Sequence, residues 1–224
     1  MIPVRIFYRK AGRAKYLAHL DLMRSVSRAI KRSGLPVWYT QGFNPHMYLT
    51  FSLPLSLGYE GMWETVDIRL NEEICSEEII SRLSPCLPAG FEIFRVSTPV
   101  QEPSAIEWAD YHVELLFDEE GADRMSHALA RLMEQPEILV MKKAKKGPGR
   151  KILKEVDIRP MVQLLEQKEG ENCLDMTLRL RTGLSQNLNP SLFLDALYKE
   201  AEVEPDLVRI ARVAVLDDHL HPFE

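Results

Sequence analysis

The sequence predicts an α+β protein of two consecutive units, each running strand, helix, strand, strand, helix, strand, with antiparallel sheets. Three observations carry this. Short stretches of alternating hydrophobicity recur through the 224 residues. Amphipathic helical stretches interrupt them at matching places in the two halves. A proline-bearing, aperiodic segment divides the halves. The β-α-β-β-α-β order is the split βαβ pattern of a ferredoxin-like unit. The expectation is therefore a tandem pair: residues 1–98, a linker at 99–109, and residues 110–218 with a basic insertion at 142–154.

In the first half, residues 2–9 (IPVRIFYR) alternate as a strand. A helix follows from about Leu20 to Lys31, with Leu22, Val26, Ala29 and Ile30 on one side and Arg24, Arg28, Lys31 and Arg32 on the other. Gly34 and Pro36 end it. Val37 to Thr40 reads as a strand entering the loop QGFNPH, Leu49 to Leu57 is apolar and extended, and TVDIRL (65–70) is a strand. Ser76 suits a helix N-cap, with Glu77 and Glu78 in the first turn, where the helix dipole favours acids. That helix stops before Pro85, and FEIFRV is the next strand.

The second half opens with YHVELLF (111–117), a helix over about 122–133, and the strand EILVMKK. A short helix is expected near Pro160, since proline suits a first turn. CLDMTLRLR (173–181) alternates as a strand, Asn189-Pro190 starts a helix, and LVRIARVAVL (207–216) is the last strand. The tail DDHLHPFE reads as a frayed terminus.

Hydrophobic residues are 46% of the chain, enough for a core without staples. No apolar run approaches the roughly 20 residues of a membrane span, and MIPVRIFYRK has no signal core; a cytoplasmic protein is expected. Cys75, Cys86 and Cys173 read as free thiols, with no metal-clip spacing. No metal site and no cofactor are expected in this chain, which also lacks a P-loop, GxGxxG, GxSxG and HExxH.

The net charge of −5 conceals a division. Residues 1–32 and 142–154 hold nine and seven Lys/Arg against the single acid Asp21, so together they carry +15 and the remainder −20. Basic segments on an acidic body suit local contact with a polyanion such as RNA. The helix stripe of Arg24 and Arg28 is one half of that expectation. The other is a flexible basic loop with Lys142, Lys143, Lys145, Lys146, Arg150, Lys151 and Lys154 around Gly147-Pro148-Gly149. An ordinary solvated surface is the alternative for both.

Gln41, Asn44 and His46 of QGFNPH can project from a rigid turn in which Gly42 supplies φ above zero. His46 could act as acid or base, and His19 with Asp21 could form an anion site at a helix start. The alternatives are a hairpin turn and an ordinary cap with a surface ion pair. Asp157 and Arg159 flank Ile158, and an internal ion pair is expected between them, with Arg159 facing a ligand as the other reading.

RAKYLAHLDLMR (13–24), Gly34-Leu35-Pro36, QGFNPH, Phe51, Leu53-Pro54 and Leu57-Gly58 together resemble the radical-SAM-linked domain family, of unknown biochemical function. VDIRL, LPAGFEI, VDIRP and the Asn189-Pro190 helix start also fit, so the resemblance covers nearly the whole chain. It implies a radical-SAM protein as partner, since members occur fused to or encoded beside such proteins with a cobalamin-binding region. Neighbouring ribosomal-protein and ribonuclease genes imply an RNA or ribosome-linked substrate. This chain has no CxxxCxxC motif, so any radical chemistry belongs to the partner. Carried over by position, the motif emphasises His19, Asp21, Arg24, Gln41, Gly42, Asn44, Pro45 and His46. Three readings follow: an accessory subunit presenting RNA, an RNA-processing enzyme using His46 and His19, and a protein-interaction module.

Overall fold

A computed structural model describes residues 1–118, 121–145, 151–183 and 186–224, with the side chains of 143–145 and 151 left out. The chain divides into two compact units, residues 1–105 with 211–224, and residues 106–210. The last strand is shared between them, whereas the sequence assigns all of it to the second unit.

In the first unit β1 (Ile2–Lys10), α1 (His19–Ser33), β2 (Leu49–Phe51), β3 (Glu60–Leu70), α2 (Ser76–Leu83) and β4 (Phe91–Ser97) follow in order. β1 pairs antiparallel with β3, from Ile2↔Leu70 to Lys10↔Gly61, and with β4 on its other side. β2 pairs antiparallel with β3 through Thr50↔Asp67. Residues Ala211 and Arg212 of β10 (Leu207–Leu216) run parallel to Glu60 and Gly61.

Alternation along the strands gives the sheet two different faces. Val4, Ile6, Tyr8, Val66, Ile68 and Ile93 meet Leu22, Val26, Ala29 and Ile30 of α1 and Ile79 and Leu83 of α2. Burying a large aliphatic side chain of this kind contributes about 1.5–3 kcal/mol. α1 ends where Gly34 turns left-handed at φ 66°, a conformation that only glycine adopts cheaply. α2 has Cys75 as its N-cap residue, not Ser76, whose hydroxyl donates to the Val96 carbonyl at 3.1 Å.

The opposite face carries charge. Arg5 and Asp67 sit across from each other and close a two-point ion pair at 2.7 Å, with Arg5 wholly buried and stacked 4.2 Å over the Phe223 ring. Phe223 belongs to the tail, which is docked and not frayed. Asp217 accepts from the backbone N–H groups of His219 and His221 and from the Gln101 amide, each at 2.9 Å. The Glu224 carbonyl accepts from Val100 and Gln101, and Arg95 bonds the Glu224 carboxylate at 2.6 Å. Sequence polarity alone suggested fraying; the docking rests on the fully buried Phe223, whose ring lies under the Arg5 guanidinium and whose carbonyl accepts from the Trp63 indole N–H.

In the second unit β5 (Trp108–Leu116), α3 (Ala122–Glu134), β6 (Leu139–Lys145), β7 (Lys151–Asp157), β8 (Val162–Glu169), β9 (Cys173–Arg181) and α4 (Pro190–Ala201) lead into the start of β10. β9 pairs antiparallel with β5 and with β8. Leu174, Met176, Leu178 and Leu180 of β9 are buried on the side of α3 and its Met125, Ala128 and Leu129. Asn189 caps α4 through Ser191 N–H at 3.0 Å, with Pro190 in the first turn.

Three expectations change here. The helix expected near Pro160 is a 3-10 turn, Arg159–Met161, followed by β8, because Val162 and Leu164 find β9 as a partner. The basic insertion is not a loose loop over its described length. β6 and β7 pair as a two-stranded hairpin from Leu139↔Asp157 to Lys145↔Lys151. Asp157 and Arg159 form no ion pair. Asp157 instead accepts from the N–H groups of Ile138 (2.8 Å) and Arg159 (2.9 Å), while Arg159 donates to the Val162 carbonyl at 3.4 Å.

One more buried pair fixes the first unit. Arg212, 1% exposed, meets Glu64 at 2.9 and 2.6 Å and donates to the carbonyls of Leu53 (2.8 Å) and Pro54 (3.3 Å). Removing one partner strands the other charge out of water. Glu64→Ala is expected to destabilise the protein by about 3–5 kcal/mol, and Glu64→Leu with Arg212→Met by clearly less, in urea unfolding. Burial pushes the Asp217 carboxyl up, but the N–H groups of His221 and His219, the Gln101 amide and the nearby His221 ring outweigh it and hold the carboxyl below its ordinary value. A lowered folded-state value means that its stabilising effect persists above the unfolded-state value and is lost as pH falls through the folded one. Trp63, whose indole N–H donates to the Phe223 carbonyl at 3.4 Å, reports the tail. Its emission should hold from neutrality into the ordinary aspartate range and change only in stronger acid, and Asp217→Ala should change it already at neutral pH.

Candidate nucleic-acid interface

The QGFNPH segment forms the tip of a short hairpin arm. Val37 bridges Leu70, Trp38 N–H donates to the Arg69 carbonyl at 2.8 Å, and Tyr39 pairs with Met47. The strand expected over Val37 to Thr40 is thus reduced to single bridges. Thr40 N–H donates to the His46 carbonyl at 2.8 Å, and Gly42 turns at φ 134°. Residues 41–46 are all exposed, and Phe43 is fully so. With Tyr39 opposite Met47, alternation sets Trp38, Thr40, His46 and Tyr48 on the other face together.

That face has two defined features. His46 N–H donates to Thr40 Oγ1 at 3.0 Å, and His46 Nδ1 lies 3.0 Å from the same hydroxyl and 3.2 Å from the Asn44 carbonyl. A carbonyl only accepts, so the Asn44 contact favours the neutral His46 tautomer with its proton on Nδ1, while the Thr40 hydroxyl can serve either tautomer. Arg69, from β3, holds its guanidinium 4.1 Å from the Tyr48 ring and 5.8 Å from the Trp38 ring. Its other contact is a 3.9 Å approach to Met1 sulfur, and among the described residues no carboxylate pairs with it.

The other candidates separate into spent and available groups. The ring of His19, first residue of α1, meets Phe51 edge-on at 5.6 Å, and its Nδ1 is buried without a partner. Among the described residues no contact joins His19 to His46. Asp21 lies in the first turn and caps nothing, since Ala18 is the N-cap residue; it pairs with Arg24 at 3.5 Å, both well exposed. Such a pair contributes little. Arg28 and Lys31 are exposed, and no ion pair holds them among the described residues, whereas Arg32 bonds the Cys86 carbonyl at 2.5 Å. Gln41 and Asn44 are exposed.

On the β6–β7 hairpin, Lys142, half-buried, lies directly across from the exposed Lys154, and Lys142 donates to the Asn187 carbonyl at 2.5 Å. Lys143, Lys145 and Lys151 lie on the strands, and Lys146 and Arg150 fall outside the described residues. No metal-holding group of three or more His, Cys, Asp or Glu occurs among the described residues.

The sequence reading missed Arg69, Trp38, Tyr48 and a buried polar group at the end of β1. In that group burial pushes the Tyr8 phenol well up, with Glu64 adding to the effect and Arg212 opposing it. Burial draws the Lys10 ammonium down, and Lys10 donates to the Leu17 carbonyl at 3.3 Å. Trp38 and Tyr48 were within reach of sequence reasoning, as aromatic residues flanking the turn at matching spacings.

One family matches residues 4–190, and its description reads "Uncharacterized protein conserved in bacteria (DUF2344)". No curated protein matches the chain. Among solved structures, the crystal structure of a Cbf5-Nop10-Gar1 complex is similar in fold, with a TM-score of 0.50 at 9% identity. The likeness covers 95% of this chain and 48% of that one, so this chain spans about half its length. The crystal structure of an unknown protein from Galdieria sulphuraria matches over 95% of this chain and 99% of that chain, at 14% identity and a TM-score of 0.28. Among the described residues no helix is long and apolar enough to cross a membrane.

The tautomer is directly testable. Imidazole nitrogen shifts at a pH where His46 is neutral should report Nδ1–H, and Thr40→Val should leave that tautomer in place, because the contact with the Asn44 carbonyl still favours it.

Proposed function

The chain belongs to the DUF2344 family, whose description carries no activity, and we propose from its side chains that it is an RNA-binding accessory subunit. Its partner would be a radical-SAM enzyme, a reading supported by the resemblance of HLDLMR and QGFNPH alone. Tandem ferredoxin-like units are part of the same proposal, supported by the strand and helix order of each unit.

The observation that carries the RNA reading is the placement of cations that no carboxylate neutralises among the described residues. Lys142 and Lys154 face each other across a two-stranded hairpin. Like charges directly opposite destabilise a strand pair. A polyanion on that surface would turn the repulsion into attraction. Arg28 and Lys31 stand open on α1. Phosphate contacts of this kind release counterions and make affinity depend steeply on salt.

Filter binding of bulk tRNA and rRNA tests this. For about six phosphate contacts on single strands, affinity should fall roughly 10²–10³-fold between about 50 and 200 mM salt. Lys142→Glu with Lys154→Glu, and separately Arg28→Glu with Lys31→Glu, should weaken binding and flatten the salt slope by about 1–2 each. Absent or salt-independent binding contradicts the proposal.

A further inference from the structure

We propose that Trp38, Tyr48 and Arg69 form a nucleotide platform that takes an unpaired nucleotide of single-stranded RNA, the rings receiving the base and the guanidinium a phosphate. The inference rests on the RNA-binding reading above and names where and in what form the RNA is held.

Most arginines of this chain meet a carboxylate. Arg5, Arg179 and Arg212 each bind a carboxylate at two points, and Arg9, Arg82, Arg95, Arg131, Arg181 and Arg209 each have an acidic partner. Arg69 does not. Two aromatic rings flank its guanidinium, whose central carbon lies 4.1 Å from the centre of the Tyr48 ring and 5.8 Å from that of Trp38. The in-plane N–H fork keeps its geometry for a bidentate oxyanion. Its recorded partner at the edge, the Met1 thioether at 3.9 Å, is a weak acceptor that phosphate displaces readily.

The surroundings fit a nucleotide better than a bare anion. Trp38 and Tyr48 are partly exposed and lie on the same face as the exposed imidazole of His46. Base-on-aromatic stacking needs an unstacked base, which a duplex withholds and a single strand offers. The Trp38 N–H bond to the Arg69 carbonyl and the Val37↔Leu70 bridge tie the arm to β3, so the rings are placed before any ligand arrives.

The test uses the full chain and a labelled single-stranded RNA dodecamer beside its duplex form, with fluorescence anisotropy at two salt concentrations. Wild type should prefer the single strand. Trp38→Leu and Tyr48→Leu should each weaken single-strand binding by about 5- to 100-fold and leave the salt slope unchanged. Arg69→Lys keeps the charge but loses the fork, and should weaken binding about tenfold at the same slope, whereas Arg69→Gln should also flatten the slope by about 1. Thermal melting checks folding, and the conservative Arg69→Lys carries the test should Trp38→Leu unfold. If wild type binds RNA and these variants bind equally well, the platform is wrong while the wider reading stands. If only the platform variants lose binding and the hairpin and α1 charge reversals do not, the platform stands and the cation surface falls. No binding at about 50 mM salt overturns both.

Discussion

A guanidinium taken out of water must find a carboxylate or a set of carbonyls, and this requirement sorts the cations of the chain into two populations. Arg212 satisfies it inside the first unit with Glu64 and with the carbonyls of Leu53 and Pro54, joining β10, β3 and the segment after β2 in one polar knot. Arg5 with Asp67, and Arg179 with Asp110 in the second unit, repeat the solution across neighbouring strands. The Asp110 carboxylate raises the affinity of Arg179 for its proton against the opposing effect of burial. Breaking such a pair costs more than deleting it whole. The pairs therefore specify the arrangement of the strands more than they stabilise it.

What is left after that sorting is a set of candidate contacts within each unit. Among the described residues no acid pairs with the exposed Arg28, Lys31 and Lys154 or with the half-buried Lys142, and Arg69 is held by rings in place of a carboxylate. The positions that carry the family resemblance divide in the same way. Phe51 packs on His19 and Tyr8, the Leu53 and Pro54 carbonyls serve Arg212, and Gly58 N–H donates to the Lys15 carbonyl at 2.9 Å. Those positions are occupied in building the first unit. Gln41, Asn44 and His46 are exposed, beside the arm that presents Trp38 and Tyr48.

The helices and most strands were legible because their periodicity coincides with burial. Leu22, Val26, Ala29 and Ile30 of α1, the alternation of β9, and the Asn189-Pro190 start of α4 all follow from local pattern. What failed was long-range. Val162 to Glu169 became a strand because β9 stood ready to pair with it, and local propensity around Pro160 does not encode that partner. The tail looked polar and loose, yet Phe223 is fully buried under the Arg5 guanidinium and Asp217 finds three N–H donors more than 100 residues or only a few residues away. Asp157 looked like half of an ion pair and turned out to complete the backbone bonds at the end of a strand. In the candidate site, the exposed cations could be read from charge pattern. The Arg69 stack could not, since it joins residues from β3 and from the arm before β2.

Photo-crosslinking of single-stranded RNA to the intact protein, with the adducts located by mass spectrometry, addresses the central claim most directly. The account predicts adducts on the peptides containing Trp38 and Tyr48 and on the β6–β7 hairpin. Adducts confined to the sheet face where Glu114 lies across from Asp175 and His112 approaches Asp175 at 3.6 Å, or none under conditions where a known RNA binder is labelled, would contradict it.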